Sequence, residues 1–262
     1  MTTRLRILVA AGLSGEDGRA LARGVQLVGE TGGNLAIVAM AEDGDAAHTA
    51  HRRKFLRQTL ASLGGSEQTD IHVLVGDALE RIVELASRWR ADILIVDDGA
   101  ISGNFLEPLA TAVTCPLLVV RNSRTTPYRK VLVGAAPSFG TRHALEAALI
   151  IAPIAHFMLL RVLSFPGGFI PDCLPETPSD EEVEAVLGDL VLPEGQHDWL
   201  VRCGKAKGEI IFAAWEAKAD LVALGNTLRV GLEKVLLGSV ATETARALSC
   251  DVIIAHSEDH RP

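Results

Sequence analysis

The sequence is poor in aromatic side chains, which make up 4% of its 262 residues. Since 48% of the residues are nonetheless hydrophobic, the core must consist of Ala, Val, Leu and Ile, as in sheets covered by helices on both faces. Positive charge is also scarce, with 25 Lys and Arg against 33 Asp and Glu. We therefore expect no nucleic-acid partner, because neutralising phosphates requires a surplus of Lys and Arg.

Long hydrophobic runs and clustered cysteines are missing as well. The longest apolar run, AALIIAPIAHFMLL from Ala147, is interrupted by Pro153 and His156, and a membrane span requires roughly 20 apolar residues. We therefore expect no membrane partner. The four cysteines are widely spaced and include no CxxC pair. This spacing favours neither a disulfide framework nor a zinc site, and it indicates a reducing cytoplasm.

What the sequence does contain is an internal repeat. LRILVAAGLSGEDGRALARGVQLV, from Leu5, aligns with RKVLVGAAPSFGTRHALEAALII, from Arg129. VLVGDALERIVELASRWRADILIV, from Val73, aligns with the segment from Trp199, and VTCPLLVVR, from Val113, aligns with LSCDVIIAH, from Leu248. This self-similarity predicts two domains, residues 1–124 and 125–262, joined by the polar segment RNSRTTPY.

Each repeat alternates short runs rich in Val, Ile and Leu with segments of helical periodicity, such as ALERIVELA. This alternation is typical of a parallel sheet with right-handed crossover helices. In the second repeat, residues 164–198 form a longer insert, in which Ser179 and Glu182 predict a capping box before a short acidic helix. We interpret this insert as a variable surface loop, with a lid or a partner surface as the alternative.

Two copies of [IV]-L-V-x(4)-S, V-x-x-G and A-D-[IL]-[LV], followed by a G-S-V-A loop, resemble tandem universal stress proteins of the UspA superfamily. The resemblance covers nearly the whole chain and is most specific at the G-S-V-A loop. It implies two Rossmann-like domains of the adenine-nucleotide alpha-hydrolase type, each a five-stranded parallel α/β sheet of order 3-2-1-4-5. Ligands of such sheets bind where the winding reverses, at the carboxyl ends of strands 1 and 4.

ATP-binding members of this family carry a loop of the form G-x2-G-x9-G-[ST]. Here Gly225 is followed by Asn226 and Thr227, then by Leu228 where the second glycine is expected, and Gly238-Ser239 complete the spacing. The missing glycine would serve close backbone approach or a positive φ. Gly231, three residues further on, is a candidate to replace the missing glycine as a hinge of the loop.

The resemblance also implies an acidic residue after strand 1, in a V-D-x-S pattern. Gly12 and Ala136 occupy that position, followed two residues later by Ser14 and Ser138. The loss of such a charge-assisted hydrogen bond costs about 1.5–3 kcal/mol of affinity.

The first repeat departs further from the nucleotide-binding pattern. Asp92 lies 23 positions before Cys115, whereas the equivalent Asp220 lies 30 positions before Cys250. The seven missing residues fall where the phosphate loop is expected, and Asp97 and Asp98 place negative charge there. We expect no nucleotide in the first repeat.

No other residue pattern carries a catalytic or metal-binding signature. Ser14 and Ser138 are predicted to cap helices, because no His and Asp stand at the spacing that a nucleophilic serine requires. Cys115 and Cys250 introduce the last strand of each repeat and are predicted to be buried structural thiols. His48 and His51 have no third ligand nearby and are interpreted as surface histidines. We therefore expect neither enzymatic activity nor a metal site.

The leading interpretation is a non-enzymatic cytoplasmic stress-response protein that acts through protein contacts or small-ligand sensing. The resemblance further implies that the two repeats pair as an internal pseudo-dimer and that two chains form a homodimer. The alternative is an ATP-binding regulatory switch with one site in the second repeat. Its candidate nucleotide-binding residues are Gly225, Asn226, Gly231, Gly238, Ser239, Val240, Ala136 and Ser138. Assigning a hydrolase activity to this chain would rest on fold analogy alone.

Overall fold

The computed structural model describes residues 4–12, 18–41, 45–99, 105–122, 126–164, 177–192, 195–226, 229–231, 234–236 and 239–256. The chain divides into two compact units, Met1–Pro127 and Tyr128–Pro262, whereas the repeat predicted a boundary between residues 124 and 125. Within the ranges given, no helix combines the length and the apolar character that crossing a bilayer demands.

The first unit is a parallel five-stranded sheet with intervening helices. Its elements are β1 (Arg6–Ala11), α1 (Gly18–Thr31), β2 (Asn34–Met40), α2 (Ala46–Ser62), β3 (Asp70–Leu74), α3 (Ala78–Trp89), β4 (Ile93–Asp97), α4 (Leu106–Ala112) and β5 (Leu117–Val120). The strands pair in the order β3-β2-β1-β4-β5, and Val9 in β1 lies between Ile37 and Ile95. This is the order 3-2-1-4-5 that the resemblance implied.

The second unit has the same strand order. Its elements are β6 (Lys130–Gly134), α5 (Phe139–Ile151), β7 (His156–Leu163), α6 (Asp180–Leu187), β8 (His197–Cys203), α7 (Ala206–Ala217), β9 (Leu221–Asn226), β10 (Arg229–Gly231), β11 (Lys234–Leu236), α8 (Ser239–Ala247) and β12 (Asp251–His256). The five parallel strands pair in the order β8-β7-β6-β9-β12. The predicted fold class is therefore confirmed, with one addition, the small antiparallel hairpin β10–β11.

The core of each unit consists of the strands and the helix faces that cover them, and its side chains are mainly Ala, Val, Leu and Ile. Few aromatic side chains are fully buried, and Tyr128 and Phe157 are the largest of the side chains with no more than 2% exposure. The scarcity of aromatic residues in the sequence thus corresponds to a core packed by small and branched aliphatic side chains.

The A-D-[IL]-[LV] motif has the same structural role in both units. The Asp92 carboxylate accepts a hydrogen bond from the Arg6 backbone N–H at 2.7 Å. The Asp220 carboxylate accepts from the N–H groups of Arg129 at 2.9 Å and Lys130 at 3.0 Å. The aspartate therefore fixes the start of the central strand in each unit, and its role in the fold is structural.

The predicted insert proves to be a crossover of nearly ordinary length. Residues 164–196 connect β7 to β8, whereas residues 41–69 connect β2 to β3 in the first unit. The two connections differ by only four residues, and β8 already begins at His197. Among the described residues of the two connections, the helices differ in length, since α2 has 17 residues and α6 has eight. Ser179 and Glu182 form the predicted capping box at the start of α6.

Candidate functional site

The topology of the second unit brings the two halves of the candidate site together. Strands β6 and β9 are parallel neighbours, with Gly134 paired to Leu224. Ala136 to Ser138, which come after β6, and Gly225 and Asn226, which end β9, therefore share one edge of the sheet. This edge is the topological switch point, where ligands of open α/β sheets bind.

Helix α5 begins at this edge, and its N-terminus is capped as predicted. The Ser138 hydroxyl accepts a hydrogen bond from the Thr141 N–H at 3.2 Å and lies 3.1 Å from the Thr141 hydroxyl. Thr141 is 1% exposed, and its hydroxyl reaches the Gly134 carbonyl at 3.4 Å. The hydroxyl groups at this edge are thus engaged in starting the helix.

Gly225 lies directly against the first turn of α5. A Cβ atom at position 225 would come within 2.5 Å of the Thr141 Cα and closer still to the Gly140 and Thr141 backbone. Such distances lie well inside van der Waals contact, so only glycine fits here without a shift of the helix. The first glycine of the loop thus has a packing function that does not depend on any ligand.

The segment between Gly225 and Ser239 contains the β10–β11 hairpin, in which Gly231 pairs with Lys234. Gly231 therefore ends a hairpin strand, and its role as a substitute hinge stays a prediction. Leu228 and Gly238 lie outside the described residues. Ser239 and Val240 open helix α8, which places a helix start at the predicted end of the loop.

The short acidic helix α6 is fixed to the elements beside this edge. Arg161, in β7, forms an ion pair with Glu182 at 3.0 Å, and Arg142, in the first turn of α5, forms ion pairs with Glu146 and Asp189. The Ser179 backbone and Arg161 lower the pKa of Glu182, and the hydrogen bond from Arg142 lowers the pKa of Asp189. Helix α6 thus contacts the helix that begins at the candidate site.

The corresponding edge of the first unit, at the ends of β1 and β4, contains two acidic residues, Asp97 and Asp98. Asp97 is fully buried and accepts a hydrogen bond from the Gly99 N–H at 3.1 Å. Asp98 forms an ion pair with Arg19, in α1, at 2.8 Å. Gly12 has a φ of 82°, a conformation that an acidic side chain adopts only with strain. The charge that we predicted to repel phosphate is therefore present, although Arg19 compensates part of it.

The thiols equivalent between the two units are buried, as predicted. Cys115 and Cys250 are each 7% exposed, and burial raises the pKa of Cys115 to about 12. In the ranges that the structure describes, no three His, Cys, Asp or Glu residues stand together as potential metal ligands. Ser14 lies outside those ranges, so its role as a helix cap stays a prediction.

Comparison with known proteins identifies the family of this fold. The sequence profile of the universal stress protein family matches residues 127–256, which is nearly all of the second unit. A universal stress protein of Methanocaldococcus jannaschii is 29% identical over 154 residues, covering 52% of this chain and 86% of that protein. The chain belongs to the universal stress protein superfamily. It is accordingly a stress-response protein by family.

Solved structures show that this universal stress protein shares its fold with relatives over its whole length. A universal stress protein from Archaeoglobus fulgidus has a TM-score of 0.69 at 15% identity, covering 97% of each chain. A protein of unknown function from Pseudomonas aeruginosa has a TM-score of 0.70 at 17% identity, covering 98% of this chain and 94% of that one. At these identities the likeness concerns the fold alone.

Two features of the site were missed by reasoning from the sequence. The contact of Gly225 with Thr141 joins residues 84 positions apart, and no local pattern indicates it. The β10–β11 hairpin had a weak local signal, because RVG and KVL flank a two-residue connection.

Proposed function

We propose that this universal stress protein acts without catalysis, in the cytoplasm, through contacts with other proteins or by sensing a small ligand. The observation that carries the proposal is the packing of Gly225 against Thr141. At the β6–β9 edge, Gly225 allows the first turn of helix α5 to pack closely, and the Ser138 hydroxyl caps the same helix. Residues that resemble a nucleotide site therefore have a sufficient structural reason to be present.

The charges at the two edges support the same proposal. In the second unit no acidic side chain stands at position 136, where an exposed alanine is found. In the first unit Asp97 ends β4 and Asp98 follows it directly, and negative charge at that place opposes phosphate. In the sequence, neither edge carries the acidic residue that the resemblance to ATP-binding members implies, since Gly12 and Ala136 stand there.

The test measures bound nucleotide and turnover on the same preparation. Purified protein is denatured, and the supernatant is analysed for adenine nucleotide. The native protein is then incubated with millimolar ATP and magnesium while thermal unfolding and phosphate release are recorded. We expect no nucleotide, no thermal shift and no phosphate release. Stoichiometric ATP in the supernatant would refute the proposal, and so would turnover that copurifies with the protein.

A second candidate function is an ATP-binding switch with one site in the second unit. The observation that favours it is the start of α8 at Ser239, directly after the loop whose overall spacing is intact. A helix N-terminus presents backbone N–H groups to an anion. In this candidate Gly225, Asn226, Gly231, Gly238, Ser239 and Val240 form the phosphate side, and Ala136 and Ser138 form the opposite wall. Bound ATP in the supernatant decides in its favour.

We also propose that two chains associate as a homodimer. The proposal extends the pairing that the family resemblance implies, and light scattering coupled to size-exclusion chromatography tests it. A mass near 56 kDa, twice the 27.9 kDa of one chain, is expected. A concentration-independent mass of one chain would contradict it.

A further inference from the structure

A shallow cleft of about 220 Å³ lies between the end of β3 and helix α3 in the first unit. Its lining combines three apolar and three charged side chains, Leu74, Val75, Leu85, Arg81, Glu84 and Arg88. The helical residues share one face of α3 because they are spaced by three, four and seven positions. Arg81 forms an ion pair with Glu84 at 2.9 Å, so the three charged groups sum to one net positive charge.

The second unit contains the equivalent elements 128 positions later. Helices α3 and α7 both have 12 residues, and they begin at Ala78 and Ala206. Each helix is preceded by a glycine of positive φ, Gly76 and Gly204. The side chain nearest to Gly76 is Arg81, and the side chain nearest to Gly204 is Glu209, its equivalent. The structural register of α3 and α7 is therefore the same as their sequence register.

In the second unit a side chain of the protein itself pairs with the charges of the helix. Arg202, at the position of Leu74, forms ion pairs with Glu216 and, at 3.9 Å, with Glu209. Its guanidinium group also lies 5.0 Å from the centre of the Phe212 ring. The Arg202 side chain is only 20% exposed. A cation from the strand is thus held by two carboxylates of the helix.

The first unit has the opposite charges and lacks the pairing group. Arg81 and Arg88 stand where the second unit has Glu209 and Glu216, and the strand contributes the apolar Leu74 where the second unit has Arg202. Among the described residues, Arg88 is exposed and makes no ion pair. In the second unit the Arg202 cation pairs with the carboxylates of the helix. In the first unit an external carboxylate would pair with the arginines of the helix in the same way.

We propose that the α3 cleft of the first unit binds a small organic carboxylate. The carboxylate group pairs with Arg88 and Arg81 through charge-assisted hydrogen bonds. A short branched apolar body packs against Leu74, Leu85 and Val75, of which Val75 is 43% exposed. The volume of the cleft limits the ligand to a few carbon atoms, well below the usual size of a cofactor site.

The experiment titrates the full chain, labelled with ¹⁵N, with 3-methylbutanoate in a low-salt buffer. We expect saturable shifts of backbone amides in residues 74–88, with an affinity in the millimolar range. The uncharged 3-methylbutan-1-ol has nearly the same shape and is expected to bind at least tenfold more weakly. Equal binding of the alcohol would overturn the proposal, and so would shifts confined to other parts of the chain.

Two sets of variants separate binding from folding. The triple variant Leu74→Arg, Arg81→Glu, Arg88→Glu reproduces the self-paired arrangement of the second unit, so it should stay folded and lose carboxylate binding at least tenfold. The reverse triple variant, Arg202→Leu, Glu209→Arg, Glu216→Arg, should create binding in the second unit. The single variant Arg88→Gln leaves the Arg81–Glu84 pair intact and should weaken binding severalfold. Unchanged affinity in Arg88→Gln and in the first triple variant would refute the proposed site.

Discussion

Gly225 and Thr141 are in backbone contact, at the place where the carboxyl end of β9 meets the first turn of α5. The contact shows that a glycine of the apparent phosphate loop is required by the fold itself. It also shows how closely the helix approaches the edge of the sheet at the switch point. The first position of the loop is therefore not evidence for a nucleotide.

The first prediction follows from this contact. In Gly225→Ala the added methyl group would overlap sterically with backbone atoms of Gly140 and Thr141, so helix α5 must shift. We expect the free energy of unfolding to fall by about 1–3 kcal/mol, as measured by urea denaturation. The matched control is Gly208→Ala, in the exposed first turn of α7, where an added Cβ meets nothing within 4 Å. That variant should be more stable by about 0.5–1 kcal/mol. Equal effects of the two variants would contradict the packing argument.

The second prediction concerns restoration of the nucleotide site. Ala136 is exposed and does not have a positive φ, so an aspartate fits there without strain. Ala136→Asp combined with Leu228→Gly should strengthen ATP binding by roughly one to two powers of ten, because a charge-assisted hydrogen bond contributes about 1.5–3 kcal/mol. Titration calorimetry measures the gain. Ala136→Asn with Leu228→Gly is the control and should gain less. No gain in the aspartate variant would show that other groups limit binding.

The third prediction is a dependence of stability on pH through Cys115. The pKa of this thiol is about 12 in the folded protein, above its ordinary value of 9.0, because burial disfavours the thiolate. Since the folded pKa is the higher one, the contribution to stability is fully present below pH 9 and is lost as the pH rises towards 12. The difference in unfolding free energy between the wild type and Cys115→Ala should therefore shrink over this range.

Thiol modification provides an independent check on Cys115. At pH 8 the buried thiol should react with an aromatic disulfide reagent far more slowly than Cys203, which is partly exposed. Mass spectrometry of the labelled peptides distinguishes the two positions. Rapid labelling of Cys115 in the native protein would contradict its burial.

The fourth prediction concerns a buried polar contact in the second unit. The Tyr128 hydroxyl donates a hydrogen bond to the Asp251 carboxylate at 2.8 Å, and both residues are no more than 2% exposed. Tyr128→Phe removes a donor from a buried carboxylate and should cost about 1–3 kcal/mol of stability. Asp251→Asn keeps an acceptor for the hydroxyl and removes the charge, so the loss caused by Tyr128→Phe should be smaller when it is measured in the Asp251→Asn variant. Equal losses in both backgrounds would show that the charge is not involved.

Several elements of the fold were predictable because their causes are local. Ser138 and Ser179 cap helices through hydrogen bonds to N–H groups three residues ahead, and such spacing is visible in the sequence. The strand order followed from the family resemblance. The boundary of the crossover at 164–196 was less predictable, because a short helix between Pro- and Gly-rich segments leaves little periodicity to measure.

By itself the sequence determined the α/β class, because hydrophobic periodicity is a property of the chain, and its resemblance to universal stress proteins implied the five-strand order of each unit. Only the tertiary structure decided what particular residues do. It assigned Gly225 to helix packing and Asp92 and Asp220 to strand starts, and it revealed that the charges beside α3 are the reverse of those beside α7. The contacts of Gly225, Asp92 and Asp220 join residues that are distant in the chain, so local periodicity does not reveal them. The charge reversal becomes visible only when equivalent positions of the two units are compared in space.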